Sequence, residues 1–222
     1  MNALIEQFFN LEVMAQAFPF LLKGLGVTIL LTLLLTPLGL ALGLALALGS
    51  SARHRGLRRA VRIWVNGFRG LPPLVLIIIV YSALPFLGLR TPPLMAVVIA
   101  LWLNSSAYYC EILRAGLGSV PAGQMEAARA TGLGRAQALR DVVLPQAVRN
   151  VLPDLASNTI ELVKGTSLAS IIGVSELLHM ASNARSVVYN ASPITLAALM
   201  YLAFLLPSVR LTGWLERRRR GA

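Results

Sequence analysis

Long apolar runs alternate along this chain with short, polar, arginine-bearing connections. Five runs stand out, at about 25–48, 71–88, 92–113, 151–174 and 194–211. Each is near the roughly 20 residues that an α-helix needs to cross the hydrocarbon of a bilayer. Hydrocarbon offers the backbone no hydrogen-bonding partner, so runs of this length satisfy themselves as helices. The pattern predicts an all-α, polytopic membrane protein of about five transmembrane helices, a single transmembrane domain over 1–222. Within the first run stand Thr36-Pro37 and then Gly39 and Gly43. The proline permits a kink, and the glycine spacing lets a second helix approach closely.

Composition agrees with a bilayer setting. Of 222 residues, 56% are apolar and 13% charged, against about a quarter charged in soluble domains. Glu6 and Glu12 precede the first run where a signal peptide would carry basic residues, and the run is too long for a signal-peptide core, so no cleavage is expected. Cys110 is the single cysteine, which rules out a disulfide framework or a cysteine metal site. His54 and His179 fall in connections on opposite sides, so no shared metal site is expected.

The net charge of +11 raises nucleic acid as a partner. That reading needs a soluble basic face, whereas here the arginines flank apolar runs, so no nucleic acid is expected. Alternate connections carry the charge. Residues 49–62, 114–149 and the tail from 210 together hold fifteen of the twenty lysines and arginines, and the opposite connections hold only Lys23, Arg90 and Arg185. The positive-inside rule then puts the N-terminus outside and the C-terminus in the cytoplasm. The tail "RRRR" at 217–220 reads chiefly as topogenic.

The connection 114–149 is the longest polar stretch, and its middle reads "EAARATGLGRAQALRDVVLP" at 126–145. Ser119 and Pro121 can open a helix that Gly132 stops in the left-handed conformation, and a second helix is expected from about Gly134 to Leu144, ending near Pro145. Alanines give this knuckle a low relief that suits entry into a groove, with Glu126, Arg129, Arg135 and Arg140 to meet charges around it. Physical chemistry equally allows an amphipathic hairpin lying on lipid headgroups.

The spacing Glu126-Ala127-Ala128, then Gly132, then Leu144-Pro145 resembles the EAA signature of permease subunits of ATP-binding-cassette importers, with Val142 where the pattern has isoleucine. "FRGLPPLVL" at 68–76, "AYYCEILRAGLGSVP" at 107–121, "LPQAVRNVLP" at 144–153 and "GTSLASIIGVSEL" at 165–177 are similar to the polar amino acid uptake branch. The resemblance implies a type I importer permease fold in the bacterial cytoplasmic (inner) membrane. It also implies two ATP-binding subunits docked on the coupling loop 114–149 through Glu126, Ala127, Ala128, Gly132, Leu144 and Pro145. The other partners would be a second permease, identical or homologous, an extracytoplasmic solute-binding protein, and membrane lipid.

ATP and Mg would be bound by the ATPase subunits, because the chain has no phosphate loop: "KGTS" at 164–167 has lysine and glycine in the wrong order. Neither an enzyme activity nor a cofactor of its own is expected.

A charge near the bilayer centre costs about 2.5–3.5 kcal/mol on insertion scales, so the fourth run calls for an account. It holds Asn158, Glu161, Lys164, Thr166 and Ser167. Glu161 and Lys164 can neutralise one another one helical turn apart. They can also line a pathway on which a zwitterionic amino acid meets a carboxylate and a lysine, with Gly165 interrupting the helix nearby. Many relatives have an aspartate at the position of Gly165 and a glutamate at that of Asn158, and the lost carboxylates lean the expected substrate toward neutral or acidic polar amino acids. Glu111 and Arg114 read as a structural pair, and Arg69 with Pro72-Pro73 as an interfacial anchor at a helix start. The competing class is an ATP-independent secondary transporter or channel, which the missing internal repeat disfavours.

Overall fold

The computed structural model describes residues 2–52, 54–89 and 91–220. Arg53 and Arg90, counted above among the charged connections, lie outside the described residues, as do the side chains of Arg218, Arg219 and Arg220. The elements are helices throughout: α1 (Asn2–Phe8), α2 (Leu11–Ser50), α3 (Arg55–Gly70), α4 (Pro73–Phe86), α5 (Pro93–Ser119), α6 (Ala122–Ala130), α7 (Arg135–Ala138), α8 (Leu144–Gly165), α9 (Leu177–Val188) and α10 (Ser192–Arg220). A π-helical turn, Leu139–Val143, joins α7 to α8, and a 3₁₀ segment, Thr166–Ile172, follows α8.

Local chemistry sets several boundaries. α2 begins well before residue 25 because Asn10 caps it, its side-chain oxygen accepting from the N–H groups of Glu12 and Val13 at 3.1 Å each. α4 starts at Pro73, where a missing N–H leaves no helical bond unmade. α2 continues through Pro37.

Among the described residues, three helices are long and apolar enough to cross a membrane, Ala3–Ser50, Pro93–Ser119 and Ser192–Trp214; a fourth crossing is available if the bent pair Arg55–Gly70 and Pro73–Phe86 is one span. α8 does not join them because it carries Arg149, Asp154, Glu161 and Lys164.

The chain forms two compact units. The first comprises Met1–Pro37, Leu71–Trp102 and Ile160–Val209. Its core gathers Ala17 and Leu21 of α2, Leu177 and Ala181 of α9, and Ala197 of α10. The start of α10 is tied to the start of α2: Asn10 N–H donates to Ser192 Oγ at 2.9 Å, and Ala191 N–H donates to the Gln7 carbonyl at 3.0 Å.

The second unit comprises Leu38–Gly70, Leu103–Thr159 and Arg210–Ala222. Gly39 and Gly43 do what their spacing suggested. A Cβ on Gly43 would stand 2.6 Å from Tyr109 Cβ, so glycine is what lets α5 lie against α2. Gly39 of α2 meets Ser105 and Tyr109 of α5, and Gly43 meets Ser106, Tyr109 and Cys110, an ascending order in which the two helices run parallel. Their arginine-rich ends therefore leave on the same side. α8 runs antiparallel to α5, with Gly116 opposite Ala147 and the Tyr109 hydroxyl 2.8 Å from that of Thr159. Thr159 already donates to the Leu155 carbonyl, so it accepts from Tyr109. α3 is fastened to α5 by Asn104, whose amide donates to the Phe68 carbonyl at 2.8 Å.

Candidate functional site

The side chains picked out from the sequence fall into two groups, one in each unit. In the second unit, α6, α7 and the π turn form the knuckle expected from the sequence. Gly132 adopts φ +92, the left-handed conformation that lets the chain reverse after α6. Glu126, Ala127, Gly132 and Pro145 are exposed, Leu144 is half-buried, and Ala128 is buried as α6 packs on α7 and the π turn.

One boundary differs from expectation: no helix ends near Pro145. α8 begins at Leu144 and carries Pro145 in its first turn. Pro145 cannot donate to Asp141, and the widened turn immediately before it takes up the mismatch through Leu144 N–H donating to the Leu139 carbonyl.

Polar side chains brace the knuckle, and of these the sequence pointed to Ser119 and Arg140 but not to Gln124, Gln146, Asn150 or Asp141. Gln146 donates to Gln124 Oε1 at 3.2 Å and to the Val142 carbonyl at 2.9 Å, linking α6 to α8. Asn150 donates to Ser119 Oγ at 2.9 Å, linking α8 to the end of α5. Arg140 grips Asp141 through two hydrogen bonds, at 2.6 and 3.1 Å, and holds that carboxyl below its usual pKa. These contacts join the exposed turn to two long helices.

In the first unit, Glu161 and Lys164 form the expected ion pair, with both side chains more than half exposed. Lys164 and Ser167 line a cavity of about 550 Å³ walled by Ile160, Tyr201 and apolar side chains of α10. α8 gives way to the tighter 3₁₀ segment directly after Gly165.

Thr166 is not part of this face. It is fully buried, and its hydroxyl donates to the Val163 carbonyl at 2.7 Å. Ser167 Oγ donates to the Lys164 carbonyl, also at 2.7 Å. Asn158 belongs to the second unit and is half-buried.

Two polar features escaped the sequence pattern. Glu176 is fully buried: its carboxylate caps α9 by accepting from Leu178 N–H at 2.9 Å and His179 N–H at 2.8 Å, and it also accepts from the Tyr201 hydroxyl at 2.9 Å. A glutamate immediately before an apolar helical run was the available signal, but the partner on α10 lies 25 residues away. The Glu111–Arg114 pair has a third member, Arg69, at 3.5 Å from Glu111, with its guanidinium 5.6 Å from the centre of the Tyr108 ring.

Long apolar helices, a glycine-stopped knuckle between two of them and an interrupted helix with an internal ion pair define a helical membrane transport component. The chain belongs to the family described as binding-protein-dependent transport system inner membrane component, which matches residues 36–221. It is 35% identical to the probable amino-acid ABC transporter permease protein YckA of Bacillus subtilis over 79% of this chain and 78% of that one. It is also 35% identical to the arginine transport system permease protein ArtQ of the same organism, over 85% and 87%. The crystal structure of an amino acid ABC transporter with histidines superposes with a TM-score of 0.84 at 35% identity, covering 92% of this chain and 96% of that one.

Proposed function

We propose that this chain is the permease subunit of an ATP-driven importer of polar amino acids, coupled to separate ATPase subunits through α6 and Gly132. The observation that carries the reading is the knuckle itself. The EAA spacing falls on a short exposed helix, and Gln124–Gln146 and Ser119–Asn150 link it to α8 and α5. A push on α6 reaches those helices through hydrogen bonds and packed alanines rather than through a flexible linker.

Two ATP-binding subunits holding ATP and Mg would grip two such knuckles, one on this chain and one on an identical or homologous permease. A solute-binding protein would deliver substrate from outside. In this reading α8 and its 3₁₀ extension supply the fifth crossing, with the N-terminus outside and the C-terminus in the cytoplasm. Lys164, Ser167 and Glu161 border the pathway, offering an ammonium and a hydroxyl to a substrate carboxylate and a carboxylate to its amino group. Thr166 has no part in it.

Gly132→Pro is the direct test. Proline cannot adopt φ +92, so the turn must rebuild while the long helices remain. The expected result is normal membrane insertion with substrate-stimulated ATPase activity of the assembled complex lost. Unaltered stimulation would overturn the coupling role. Transport that persists when the partner's ATP hydrolysis is blocked would instead indicate a secondary transporter or channel.

A further inference from the structure

The second unit contains a basic cavity that neither coupling nor the substrate pathway uses. It has a volume of about 390 Å³, and Arg58, Arg62 and Arg69 of α3 line it together with Arg114 of α5. Glu111 is the one carboxylate in its wall, and that carboxylate is already engaged by Arg69 and Arg114. Four guanidinium groups facing one shared carboxylate leave an excess of three positive charges. Arg58 donates one N–H to the Ala52 carbonyl at 3.1 Å, which leaves most of its fork for another acceptor.

Helical periodicity explains the arrangement. With 3.6 residues per turn, positions 58, 61, 62, 65, 66 and 69 of α3 fall on one side, so the buried Val61 and Val65 form the floor of the cavity and the arginines its rim. The resulting wall presents planar forks and the Asn66 amide toward a common space. Guanidinium forks bind phosphate oxygens in bidentate fashion and hold them more specifically than a point charge does.

The surroundings indicate where such a phosphate comes from. The wall includes Ser50, the last residue of the apolar helix α2. On α3 itself, Ile63 is 66% exposed and Leu57 46% exposed beside the arginine side of the helix. Apolar side chains near a basic cavity roomy enough for a whole headgroup, at the end of a long apolar helix, suit an acyl chain and its headgroup together. A soluble anion would have no use for them.

We propose that this cavity holds the phosphate headgroup of an anionic membrane phospholipid, with Arg58 and Arg62 selecting for charge. The test uses the purified assembled complex in detergent. It is titrated with short-chain phosphatidylglycerol, phosphatidylcholine of the same chains, or glycerol 3-phosphate, and binding is read by native mass spectrometry. Phosphatidylglycerol is expected to bind more tightly than phosphatidylcholine, and Arg58→Gln and Arg62→Gln to weaken it about fivefold each. Arg59→Gln, on α3 but outside the cavity wall, should have a smaller effect. Unfolding midpoints check that the variants are folded.

Equal binding of the two lipids, or undiminished phosphatidylglycerol binding by the double variant, overturns the proposal. Displacement of the lipid by an equal concentration of glycerol 3-phosphate overturns it in favour of a soluble anion. No lipid binding, together with loss of complex assembly in the double variant, overturns it in favour of an acidic surface on a partner subunit.

Discussion

At Glu176 three donors converge on one fully buried carboxylate, two from the first turn of α9 and one from Tyr201 of α10. The carboxyl sits where a helix N-terminus offers unpaired N–H groups, and its oxygens accept from two of them. Glutamine in its place keeps the shape but supplies one acceptor oxygen where the carboxylate has two, and its amide N–H groups point at other donors. Removing such a partner from buried donors costs about 1–3 kcal/mol. Glu176→Gln is therefore expected to lower the thermal unfolding midpoint by several degrees in scanning fluorimetry, with the family fold retained. An unchanged midpoint would mean the three hydrogen bonds contribute little.

Helix packing depends on where side chains are missing. A Cβ on Gly116 would stand 2.8 Å from the Ala147 carbonyl oxygen and 3.0 Å from both Val151 methyl groups, so α5 and α8 touch through backbone there. Gly118, two residues on in the same helix, has open space around it. Two identical substitutions should thus behave oppositely. Gly116→Ala pushes α8 away and should destabilise by about 1–3 kcal/mol, whereas Gly118→Ala should be neutral or stabilising by up to about 1 kcal/mol from helix propensity. Unfolding midpoints of the two variants, measured side by side, decide it; equal effects would remove the close-packing argument. Because α8 begins at the knuckle, the Gly116 variant should also show weaker substrate stimulation of the partner ATPase.

For the molecule as a whole, orientation is the property most open to test. Cys110 is the only cysteine and is buried, and Gly123 on α6 has open space around it. A Gly123→Cys probe should react with a membrane-impermeant maleimide in inside-out vesicles and stay unlabelled in intact cells; the reverse pattern would invert the topology. The apolar runs, the glycine spacing in α2, the proline start of α4 and the left-handed stop at Gly132 were legible in the sequence, because each follows from local backbone chemistry or from the span of a bilayer. The EAA spacing was legible for the same reason, as a short-range pattern.

The early start of α2 was hidden by Glu12, Gln16 and Lys23, and Pro145 looked like a helix end because a π turn can absorb a proline only when the neighbouring helix continues. Glu176 with Tyr201, Gln124 with Gln146, and Arg69 with Glu111 join residues 22 to 42 positions apart, contacts that no local period encodes. By itself the sequence determined the helices, their apolar length and the EAA spacing, since those depend on hydrophobic length and local turns. Only the tertiary structure decided that Thr166 faces the core while Lys164 faces a cavity, and that scattered arginines form one basic cavity. Those outcomes depend on which helix packs against which.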